Sequence, residues 1–78
     1  MTRDKLILRL LAKLKKAFKH RVDIEIEYYV PASENIVRVV YTVYVWDAKE
    51  NTIVHSSGAI SSTKALVSYV NTLIKGNS

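Results

Sequence analysis

Seventy-eight residues with no cysteine make one small domain that neither a disulfide framework nor a thiolate metal site can hold together. A 49% hydrophobic content excludes a disordered chain, although a domain this short buries only roughly 60–65% of its unfolded surface. The net charge of +5 is unevenly placed, because residues 1–21 carry a formal +7 and residues 22–78 a formal −2.

Eight of the twelve basic residues make up that first block: Arg3, Lys5, Arg9, Lys13, Lys15, Lys16, Lys19 and Arg21, with Asp4 the one acid among them. Charge gathered on one element attracts an anionic partner far better than the same charge spread evenly. The apolar runs are too short to span a bilayer, and Arg9, Lys13, Lys15 and Lys16 interrupt what would be the apolar stretch of a secretory signal. A cytoplasmic protein is expected, in the host cytoplasm if the gene is viral.

Residues 3–20 are predicted as an amphipathic helix capped by Thr2, with Asp4 in the first turn where the helix dipole favours an anion. Ile7, Leu10, Leu11, Leu14 and Phe18 form one apolar stripe, widened by Leu6 and Ala17. Lys5, Arg9, Lys13 and Lys16 form a column on the opposite side, at successive i+4 and i+3 steps, flanked by Lys15 and Lys19.

Residues 22–30 change to period two. Val22, Ile24, Ile26, Tyr28 and Val30 face one way, and Asp23, Glu25, Glu27 and Tyr29 the other. Residues 31–35 make a turn, and residues 36–46 the longest strand, with Val37, Val39, Tyr41, Val43 and Val45 on its apolar face. Matching the two apolar faces around a four-residue loop sets Tyr28 opposite Val37 and Ile26 opposite Val39. It also sets Glu27 opposite Arg38 as a cross-strand ion pair.

A second turn at residues 47–51 places Asn51 in a left-handed position, and a short strand runs from about Thr52 to Ser56. Either Ile53 or Val54 faces the core there. Ser61 or Ser62 then caps a second helix that runs to about Lys75, with Leu66, Tyr69, Val70, Leu73 and Ile74 on its buried side and Gly76 ending it. Asn77 and Ser78 are expected to fray. The predicted architecture is an α+β two-layer sandwich of order α-β-β-β-α, in which a three-stranded antiparallel meander carries both helices on its one apolar face.

This order, with Pro31-Ala32 in the first hairpin loop, Ser57-Gly58 before a serine-started helix, and Ala65, resembles the double-stranded-RNA-binding domain over about residues 28–73. The resemblance implies that the first helix and the first hairpin loop reach successive minor grooves. It also implies that basic residues opening the last helix touch the phosphates between them. The family's paired lysines fall on Ser62 and Thr63, which leaves Lys64 as the basic residue at that place, and Ser33 and Glu34 stand where its loop histidine would be.

Catalysis is not expected. His20 and His55 lie on different elements, no metal-ligand spacing occurs, and no glycine-rich phosphate loop is present. His55 and Ser56 neighbour each other on a strand and point to opposite faces, and Glu25 and Glu27 read as a solvated face. No cofactor, metal or membrane contact is predicted.

The feature with a mechanism is the basic helix. Lys5, Arg9, Lys13, Lys16 and Lys19, helped by Lys64 and the free amides at the second helix start, would bind nucleic acid through its phosphates without sequence preference. The same face could meet an acidic protein, or serve only solubility. The rival reading is a protein-interaction or inhibitor module, of the compact accessory kind seen in phages and mobile elements. It would use Tyr29, Val40, Tyr44 and Trp46 on the outer sheet face, where a homodimer could form.

Overall fold

The computed structural model describes residues 2–77. Five elements follow in the expected order: α1 (Arg3–Ala17), β1 (Arg21–Tyr29), β2 (Arg38–Asp47), β3 (Thr52–Ser56) and α2 (Thr63–Asn77). The Thr2 hydroxyl accepts the N–H of Lys5 at 3.3 Å and so caps α1. The helix stops at Ala17, not near residue 20. Phe18 turns extended while its N–H still bonds Leu14 O at 2.7 Å. That turn drives the Phe18 ring into the core, edge-on to His55 at 5.4 Å.

The sheet is an antiparallel meander of order β1-β2-β3. Tyr41, Val43 and Val45 on its central strand are buried in one cluster with Ile7, Leu10 and Leu14 of α1 and with Leu66 and Val70 of α2. Both helices therefore cover the same sheet face. Burying these stripes is what holds so small a chain together, at roughly 1.5–3 kcal/mol per large aliphatic side chain.

The first hairpin keeps the predicted faces but slides by two residues. Tyr28 pairs with Val39, Ile26 with Tyr41 and Ile24 with Val43. A two-residue slip leaves every side chain on its own face, so hydrophobic alternation does not distinguish the two registers. The loop chemistry does. The N–H of Glu34 bonds Pro31 O at 3.1 Å, and the Glu34 carboxylate grips Arg38 through two bonds of 2.7 and 2.8 Å. That turn lies within the predicted loop, and the clamp ties it to the first residue of β2, so that Val30 and residues 35–37 stay out of the ladder and Tyr29 pairs with Arg38. The predicted Glu27–Arg38 pair is replaced by Glu34–Arg38, and Glu27 stands opposite Val40. The Arg38 guanidinium is held above its ordinary value by the Glu34 hydrogen bonds, opposed by desolvation and aided by Tyr29.

The hairpin tip also runs past the helices. Tyr28 and Val37, expected in the core, are 55% and 67% exposed. Arg3 of α1 reaches the tip, donates to the Tyr28 hydroxyl and lies 5.3 Å from its ring centre.

In β3 neither Ile53 nor Val54 enters the core. Ile53 pairs with Trp46 and His55 with Val45, so Val54 is the extra residue of a bulge and His55 takes the inward place. Asn51 does adopt the left-handed conformation, at φ 54°. Beyond β3 the ladder is patched by a side chain, since Ser57 Oγ accepts the N–H of Val43 at 2.9 Å. Gly58, at φ 69°, turns the chain so that Ile60 pairs with Tyr41. Ser62 caps α2 by accepting the N–H of Ala65 at 3.1 Å. Gly76 does not end that helix, which continues to Asn77, and Ser78 lies outside the described residues.

Candidate functional site

The amphipathic spacing that buries Ile7, Leu10 and Leu14 turns Lys5, Arg9, Lys13 and Lys16 outward, and all four are exposed. At 1.5 Å rise per residue their column is about 16 Å long. Among the described residues, none of the four makes an ion pair with a carboxylate. Lys19 is exposed as well, but it lies past the end of α1 in the link to β1, so it extends the column instead of belonging to it. Lys64 is exposed in the first turn of α2, where no acidic residue stands.

The last turn of α1 divides its cations between two sides. Lys13 and Lys16 border a groove with Asn71 and Ile74 of α2. Lys15 and Lys19 instead line an open depression with His20, Arg21, Asp47 and Lys49, which joins the end of α1 to the β2–β3 turn. Lys49 is distant in sequence and lies outside the basic N-terminal block. The sheet meander alone brings it to the helix end.

The outer sheet face is built differently. Of the four aromatic and aliphatic residues expected to form an interface there, Tyr29 is exposed and Val40, Tyr44 and Trp46 are half-buried. Tyr44 and Trp46 pack ring to ring at 6.2 Å, and Arg21 caps the indole at 6.0 Å while pairing with Asp23 at 3.1 Å. The Trp46 Nε1 is buried with no acceptor among the described residues, which costs about 1–3 kcal/mol. Glu25 and Glu27 remain exposed on this face and keep it anionic.

The histidines are apart: His20 lies in the α1–β1 link and His55 packs on Phe18. The Ser57 hydroxyl is committed to the backbone, accepting from Val43 and donating to Gly58 O at 2.7 Å. His55 borders a small apolar pocket with Phe18, Tyr69, Thr72 and Leu73, where burial pushes the Tyr69 phenol above its ordinary value. Among the described residues no group of three or more His, Asp or Glu side chains could hold a metal ion, and no helix is long and apolar enough to cross a membrane. No known protein family, no curated protein and no solved structure matches the chain.

Proposed function

We propose that the chain is a non-enzymatic binding module that contacts nucleic acid without sequence preference through the polar face of α1. The observation that carries this reading is the column Lys5, Arg9, Lys13 and Lys16, exposed along one helix and without carboxylate partners among the described residues. Unpaired cations at this spacing meet successive phosphates, and each phosphate neutralised releases condensed counterions. Lys19 prolongs the contact and Lys64 adds a lesser one.

The test is the affinity for a ~20-bp RNA or DNA duplex between 50 and 200 mM salt. Four to five phosphate contacts predict a slope of log affinity against log salt near about −4. Absence of binding at 50 mM salt would end this reading.

One observation favours a second reading, self-association. Tyr29 shares the hairpin tip with Tyr28, Val30, Ile36 and Val37, all of them exposed. The tip's Arg38 is neutralised by Glu34, so two tips can meet without repulsion between those charges. Solution mass as a function of concentration tests it: a dimer that Val37→Asp dissociates supports the reading, and a monomer at all concentrations removes it.

A further inference from the structure

Building on the nucleic-acid reading, we propose that the depression at the end of α1 is a second phosphate site, so that the bound backbone continues round the helix end onto the β2–β3 turn. Lys15, Lys19, Arg21 and Lys49 set four cations around it, with His20 beside them and Asp47 as the carboxylate on its wall. One oxygen of that carboxylate is engaged by the turn. Asp47 Oδ1 accepts the N–H of Lys49 at 3.0 Å and of Glu50 at 3.2 Å, which fixes the turn and holds Lys49 at the rim.

Lys15, Lys19 and Lys49 keep ammonium protons for a ligand, whereas Arg21 is already paired on the sheet. Lys15 Nζ donates to His20 O at 3.0 Å, which ties the helix end to the link and leaves two ammonium protons for a ligand. Arg21 is braced between Asp23 and the Trp46 ring. The Lys19 and Lys49 side chains have no ion-pair partner among the described residues and are exposed.

A cluster of several donors around an open hollow suits the multiple acceptor oxygens of a phosphodiester group. Its position adds to the argument. Lys13 and Lys16 border the α2 side of the helix and Lys15 and Lys19 the sheet side, so the two groups address different stretches of backbone.

The experiment is the salt titration of a ~20-bp duplex with the full chain, the double variant Lys19→Ala/Lys49→Ala and the single variant Lys49→Ala, whose residue belongs to the hollow and not to the helix column. Circular dichroism checks that the variants keep the fold. The expected result is a slope smaller by about 2 and affinity about tenfold weaker at 100 mM salt in the double variant, and a slope smaller by about 1 in Lys49→Ala.

An unchanged slope in Lys49→Ala, alongside a reduced slope in Arg9→Ala/Lys13→Ala, overturns the second site and leaves the helix reading standing. If the unaltered chain fails to bind duplex at 50 mM salt, both fall. Binding of a poly-glutamate peptide that depends on Lys19 and Lys49, with the duplex slope unchanged, would assign the hollow to an acidic protein and overturn the phosphate site.

Discussion

The polar face of α1 and the outer face of the sheet expose charge in opposite ways. On α1 the cations Lys5, Arg9, Lys13 and Lys16 have no carboxylate partners among the described residues. On the sheet, Arg21 is paired with Asp23 and with the Trp46 ring, and Arg38 with Glu34, while Glu25 and Glu27 leave the balance negative. On the proposed reading, the difference decides which face a polyanion approaches. Phosphates would be drawn to the helix and repelled from the sheet, which would leave the half-buried Tyr44 and Trp46 to packing and make them a poor base-stacking platform.

The strongest way to break this contrast is to reverse the helix charge. Arg9→Glu/Lys13→Glu should weaken duplex binding about 100-fold or more at 50 mM salt, measured by fluorescence anisotropy. A loss below threefold would show that the column is not the contact. Removing the sheet aromatic should do the reverse. Trp46→Ala is expected to lower unfolding free energy by about 2 kcal/mol in a denaturant titration, because a half-buried indole loses its packing. Its duplex affinity should stay within about twofold, and a loss matching that of the helix variant would make the sheet the binding face.

A smaller effect sharpens the comparison. Glu25→Lys/Glu27→Lys gives the sheet the charge it lacks, and duplex affinity should rise about fivefold with a steeper salt slope. A fall instead would mean that these carboxylates touch the ligand. Smallest of all, Lys64→Ala should cost about twofold, since a single exposed cation contributes about one phosphate contact. A tenfold loss would move the centre of the interface to the start of α2.

Much of this arrangement was legible in the residues. Period-three-and-four stripes gave both helices, period two gave β1 and β2, and β3 spans Thr52–Ser56 as expected. The α1 column was equally visible, because helical spacing by itself sets Lys5, Arg9, Lys13 and Lys16 on one side. What escaped depended on interactions that alternation does not encode. The hairpin register turned on the Glu34–Arg38 clamp, and the end of α1 turned on Phe18 leaving the helix to reach His55. Lys49 joined Lys15 and Lys19 only through the β2–β3 turn, a proximity that the first 21 residues do not contain. The exposed tip was hidden for a related reason: the pattern marks Tyr28 and Val37 as inward-facing, but α1 and α2 are too short to cover them.

The most direct measurement is an amide chemical-shift map during titration with a ~20-bp duplex at low salt. Shifts should concentrate on the exposed residues of α1 between Lys5 and Lys16 and spread to Lys19 and Lys49, with Glu25, Tyr44 and Trp46 unmoved. Shifts centred on the outer sheet strands, with a silent α1, would contradict the assignment of the helix as the binding face.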